Sequence, residues 1–295
     1  MRLATINING KEIASLIIDD QVITVKEINN IFQTEFKTDI FGILVNDQWD
    51  KLKTFYDEIL LNNLDQIKLS LIPIDAVKFA PLYRRPAKIF GIGLNYADHA
   101  ADLAEKTPNT EPASFFKPYT TIIGPNDFIN IPLQSDKTTA EAELGIIFKK
   151  ECKNIDENNW LDYIAGFTTI IDMTAEDILR KNPRYLTRCK SFDTFFSFGP
   201  ELITPDEIDD VLELKVSTVI NNKIHAENTV SNMTFKPDYL VSFHSKVMTM
   251  LPGDIISTGT PRAVHINDGD VAECRIDGFA SLTNPVVDLK KGGIL

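Results

Sequence analysis

The feature that most limits the fold lies after Pro86, where short β-rich runs follow one another without a regular alternation of strand and helix. They cover residues 88–94, 121–123, 144–149, 164–171, 214–220, 254–257 and 271–276. Gly124-Pro125-Asn126-Asp127, Asn221-Asn222 and Pro252-Gly253-Asp254 stand between them. Such residues mark turns, because Gly and Asn tolerate positive φ and Pro fixes its own. A doubly wound sheet needs a helix after nearly every parallel strand, so the pattern argues against one and predicts an α+β, mainly β roll. Helices are expected only over residues 96–104, 174–181 and 239–248.

The first seventy residues read differently. Residues 12–18 are strand-like, and Asp19-Asp20 makes a turn. From Trp49 the apolar positions Leu52, Tyr56, Ile59 and Leu60 follow helical spacing, with Asp47 placed to cap the helix. Pro73, Pro81 and Pro86 then interrupt any regular helix, since each lacks an amide donor and restricts its predecessor. The expected division is a small N-terminal α/β domain over 1–80 and a larger domain over 81–295.

Acidic residues outnumber basic ones by 42 to 30, a formal charge of −12. That balance repels phosphate backbones and anionic lipid, so neither nucleic acid nor a membrane is an expected partner. An anionic substrate would then need locally fixed positive charge, from a metal or from Arg and Lys. Cys152, Cys189 and Cys274 lie far apart and form neither a disulfide framework nor a CxxC knuckle. No stretch is apolar enough to span a bilayer or resembles a cleaved leader, so a cytoplasmic protein is expected.

Glu141 and Glu143 stand at i and i+2, so on a strand both carboxylates leave the same face. An isolated E-x-E is usually a solvated face; its context is what makes it a candidate cation grip. Asp172 ends the apolar run 164–171, where a lone carboxylate would be costly; it reads equally as a metal ligand or as the N-cap of a helix. Three oxygen donors without nearby Cys or His favour Mg²⁺ or Mn²⁺, with Ca²⁺ as a third choice, over Zn²⁺. His99 and Asp102, at i and i+3, form a candidate water-activating dyad. Lys190 offers a compact positive charge, and Gly259 beside Thr258 offers close backbone approach to a ligand. His225, His244 and His265 read as structural.

In order along the chain stand Gly91-Ile-Gly-Leu-Asn-Tyr-Ala-Asp-His-Ala, Phe116-Lys-Pro, Ile123-Gly-Pro, Glu141-Ala-Glu-Leu, Ile171-Asp-Met-Thr-Ala, Lys190-Ser-Phe-Asp-Thr-Phe, Pro252-Gly-Asp-Ile-Ile-Ser-Thr-Gly-Thr-Pro and Asn284-Pro-Val. Each fragment is weak alone; the ordered set, over roughly residues 85–287, resembles the fumarylacetoacetate hydrolase superfamily. The resemblance implies a mixed β-sandwich roll, usually homodimeric. It implies Glu141, Glu143 and Asp172 as metal ligands, His99 as base, and Lys190 and Thr258 lining the substrate site. Two positions depart from it: Glu176 and Leu179 stand where relatives commonly have an arginine and a glutamine that contact substrate. Asp102 replaces a Glu frequent among relatives.

The leading expectation is a divalent-metal-dependent hydrolase cleaving a C–C bond in a small acylpyruvate-like 2,4-dioxo acid, through an enolate that the metal stabilises. The alternatives are a decarboxylase of an oxaloacetate-like acid or an isomerase of a 2-hydroxydiene dioate. From another class comes a non-catalytic metal- and ligand-binding module.

Overall fold

The computed structural model describes residues 1–97 and 110–292. Its spine is an antiparallel pair, Thr138–Phe148 and Ile164–Ala175, in which every residue is buried. Each strand extends beyond the apolar run that announced it, by the polar stretch 138–143 in one and by residues 172–175 in the other. Burial on both faces explains why the apolar runs lack clean alternation.

The two faces of the 138–148 strand have different neighbours. Ala140, Ala142, Leu144 and Ile146 enter one core with Val216, Ala272 and Ile276. Those partners belong to a five-stranded sheet ordered Lys223–Thr229, Lys215–Ile220, Val271–Ile276, Leu282–Asp288, Ile129–Ile131. Ile147 joins a second core containing Leu3, Leu16, Ile28 and Trp49. Side chains alternate along a strand, so Thr139, Glu141 and Glu143 share the face of Ile147. The small sheet thus covers the apolar face and leaves the carboxylates on the other.

The larger sheet has fourteen strands among the described residues. Beyond the spine it continues on one side through Ile255–Ser257, Ile89–Gly93 and Ala113–Phe116. On the other it runs through Glu201–Ile203 to Arg2–Ile8, Lys11–Ile18, Gln21–Thr24 and Ile72–Pro73. Arg2 lies opposite Ile203, so the N-terminal strands extend the same sheet that carries the spine.

The helices largely follow the pattern. A helix does begin at Trp49, as Trp49–Phe55, and continues in wider turns over Tyr56–Leu60. Its expected cap is not used: Gln48 occupies the N-cap without a side-chain bond, and Asp47 has a φ of 55°. Asp39 instead caps Ile40–Val45 through the amide of Gly42. Asn221 and Asn222, at φ of 51° and 62°, form the tight hairpin turn their identity predicts. Pro237–Val247 and Glu176–Lys181 account for two of the expected helices. The third, over 96–104, falls mainly outside the described residues, as do His99 and Asp102. Among the described residues no helix is long and apolar enough to cross a membrane.

Candidate metal centre and substrate pocket

The spine's register builds the site. Glu141 lies directly opposite Asp172, and Glu143 follows two residues along the same face. Each can offer a carboxylate oxygen within 4.8 Å of the other two. Like charges facing each other across strands oppose pairing, so a cation has to hold them there. Asp172 lies inside a strand and the next helix starts at Glu176 with Ala175 at its N-cap. The N-cap reading of Asp172 therefore fails.

Hydroxyls and an amide fix the carboxylates. Thr174 donates to Oε1 of Glu141 at 2.5 Å, and Ser257 donates to Oε2 of Glu143 at 2.5 Å. The same Glu143 oxygen accepts from the Gly259 amide at 2.9 Å. Gly259 has a φ of 99°, and a Cβ there would meet Asn95 at 2.8 Å. The close approach inferred for this glycine is thus to the chain itself. Thr258 is spent likewise: its hydroxyl donates to the carbonyl of Leu144, and Thr260 is the residue that reaches the cavity wall.

Two lysines complete the cluster. Lys190 donates to Glu141 Oε2 at 2.8 Å and to Asp172 Oδ2 at 2.6 Å, while its ammonium lies 4.9 Å from the centre of the Phe115 ring. Lys117 donates to Oδ1 of Asp172 and is fully enclosed. Sequence reasoning missed Lys117, although it sits in the Phe116-Lys-Pro fragment. An ammonium between two phenylalanines and a proline, at the end of a strand, is the signal that could have marked it.

Burial disfavours the Lys190 ammonium, but Asp172, Glu141 and Glu143 together hold its pKa well above the ordinary lysine value. Burial and then the charge of Asp172 push the Glu143 carboxyl up to about 8. Burial lowers Lys117, against the pull of Asp172. Once Glu143 gives up its proton, three carboxylates stand against two ammonium groups and leave one negative charge unbalanced. An all-oxygen donor set with that deficit fits a hard divalent cation held by Glu141, Glu143 and Asp172.

Beside the cluster opens a cavity of about 450 Å³. Glu141 and Lys190 form its charged end, and Ile92, Phe115, Leu179 and Leu186 contribute apolar wall. Glu176 also lines it, but its oxygens are taken: Oε1 by Arg180 at 2.5 Å and Oε2 by Lys137 at 2.9 Å. Its charge therefore does not face the cavity uncompensated. His244 is buried with Nδ1 2.8 Å from the carbonyl of Leu240, and burial lowers its pKa. His225 and His265 are exposed.

A β-roll whose central strand pair gathers three carboxylates, one of them in the wall of a side cavity, defines a protein fitted to hold a divalent cation beside a small ligand. Residues 88–287 match the fumarylacetoacetate (FAA) hydrolase C-terminal family, and the chain belongs to it. It is 42% identical over 221 residues to a protein of Archaeoglobus fulgidus, covering 75% of this chain and 86% of that one. With a mitochondrial oxaloacetate tautomerase of Rattus norvegicus it shares 35% over 228 residues, 75% of this chain and 72% of the relative. The solved structure of a 2-hydroxyhepta-2,4-diene-1,7-dioate isomerase from Mycobacterium marinum superposes with a TM-score of 0.66 at 33% identity. That match covers 74% of this chain and 81% of the isomerase. The family's members are enzymes, among them hydrolases and isomerases.

Proposed function

We propose that this chain catalyses metal-dependent enolisation of a small 2-oxo acid, as a keto–enol tautomerase or double-bond isomerase. The observation that carries the reading is the Glu141–Glu143–Asp172 set, with Lys190 spanning two of its carboxylates at the wall of the cavity. A divalent cation bound there supplies the concentrated positive charge that stabilises an enolate and orients a 2-oxo carboxylate. Thr174 and Ser257 keep Glu141 and Glu143 aimed without spending a further charge. Lys190, seated between Glu141 and Asp172 at the cavity wall, offers its ammonium to a substrate oxygen, and the proton that enolisation removes from carbon would pass to His99, the base that the resemblance implies. Phe115 and Leu179 give the cavity an apolar wall beside its charged end. The names of the rat tautomerase and the mycobacterial isomerase support this class of reaction.

Hydrolytic C–C cleavage of an acylpyruvate is the second reading. It rests on His99, in the Gly91 to Ala100 motif, and on Asp102 just beyond it, the pair that would activate the attacking water.

The test is the ultraviolet enol band of oxaloacetate and of 2,4-dioxo acids with Mg²⁺- or Mn²⁺-loaded protein. Enolisation relaxes the band without releasing pyruvate, whereas cleavage releases it. Asp172→Asn should weaken Mn²⁺ binding on the order of 100-fold and remove turnover with it. An enol band that relaxes at the uncatalysed rate for every acid would sink both readings.

A further inference from the structure

The cavity has a second charged end. Glu176 and Arg180 both line it, one helical turn apart on Glu176–Lys181, a rise of about 6 Å. Leu179 projects between them in sequence, and Leu186 and Phe115 add to the apolar stretch separating this end from Lys190 and Glu141. Arg180 is bound only through Nε, to Glu176; its two terminal nitrogens have no partner among the described residues. Lys137 is not part of the cavity wall, yet it holds the other oxygen of Glu176. Lys137 and Arg180 together carry one positive charge more than Glu176 cancels, and of the two cations it is Arg180 that lines the cavity. A guanidinium braced through Nε, with its terminal N–H groups open, is the arrangement that recognises a carboxylate through paired hydrogen bonds.

Resting on the enolisation reading above, we propose that Arg180 binds a second carboxylate at the end of the substrate remote from the metal cluster. The chain then selects 2-oxo dicarboxylic acids with an apolar spacer over monocarboxylic acids of equal length. Glu176 and Lys137 act as positioning residues: one holds the guanidinium, and the other keeps Glu176 from neutralising it. Glu176 in this role explains how an acidic residue can stand in the wall of a cavity that takes an anion.

The experiment compares 2-oxoadipate with 2-oxohexanoate, six-carbon acids differing at the far end. Binding to Mn²⁺-loaded protein is read from water-proton relaxation of the bound Mn²⁺, which needs no turnover. Wild type should bind 2-oxoadipate at least about tenfold more tightly, as expected for a charge-assisted pair. Arg180→Gln should bring the ratio near one, Arg180→Lys should keep part of it, and Lys137→Met should lower it while leaving Arg180 in place. A wild-type ratio near one, or a preference unchanged in Arg180→Gln, overturns the proposal while the metal reading stands. If neither acid alters the Mn²⁺ signal, the enolisation reading fails and this inference goes with it. Circular dichroism and thermal unfolding of each variant identify a folding defect, and the surviving substitutions at Arg180 and Lys137 then decide.

Discussion

The two ionic clusters along the cavity use the same residue types to opposite ends. In the inner one, Lys117 and Asp172 are wholly shielded and carboxylates outnumber ammonium groups. At the rim, Arg180 is 51% and Lys137 44% exposed, and cations outnumber the single carboxylate of Glu176. Shielding makes each missing partner expensive inside, whereas water screens the pairs outside. The inner cluster is therefore organised to take up a cation, and the rim can present positive charge at little cost to the fold.

The largest effect should come from breaking the inner balance. Lys117→Met leaves Asp172 short of a buried partner and should cost about 3 to 5 kcal/mol in metal-free thermal or urea unfolding. Saturating Mn²⁺ should recover much of it; a loss of the same size with and without metal would mean that Lys117 serves packing alone. A smaller effect follows from Glu143. Its carboxyl sits at about 8 in the folded metal-free chain against an ordinary 4.5. The folded state holds this proton more tightly than the unfolded one. Its contribution is complete below about pH 4.5 and fades as pH rises through 8. Metal-free protein should accordingly lose stability between about pH 4.5 and about pH 8 through this group, and Mn²⁺ uptake at pH 7 should release a proton. Calorimetry in buffers of different ionisation enthalpy measures that release, and a buffer-independent heat would contradict it. The smallest effect belongs to the rim: Arg180→Gln should change unfolding free energy by about 0.2 to 1 kcal/mol. A much larger loss would show that the rim braces the fold and erase the contrast.

The legible part of this arrangement was local. The i, i+2 spacing put Glu141 and Glu143 on one face, and the Asn221-Asn222 turn and the Trp49 helix followed from residue type and spacing. What escaped was set by distant partners. The apolar run that announces the first spine strand begins only at Leu144, and the strand reaches back to Thr138 because Ile164–Ala175 supplies a ladder along its length. Asp172 could be a ligand or a cap until the start of the helix at Glu176 removed the cap. Lys117 lies 55 residues from the aspartate it pairs with, and nothing in its own segment names that partner. Glu176 stands where relatives commonly have an arginine; Arg180 is one turn further on in its own helix, but Lys137 reaches it only in the folded chain. Arg2 meeting Ile203 is the same kind of fact on the scale of the whole sheet.

The long Thr138–Phe148 and Ile164–Ala175 ladder has a bearing on how a cation would come and go. Amides in such a wholly enclosed pair are expected to exchange with solvent hydrogen only through near-global opening, while the short helix bearing Glu176 and Arg180 can fray by itself. The candidate ligand oxygens thus ride on the slowest-breathing part of the molecule and the residues proposed to select substrate on a faster one. Specificity at the outer end can then drift by substitution without loosening the grip at the inner end.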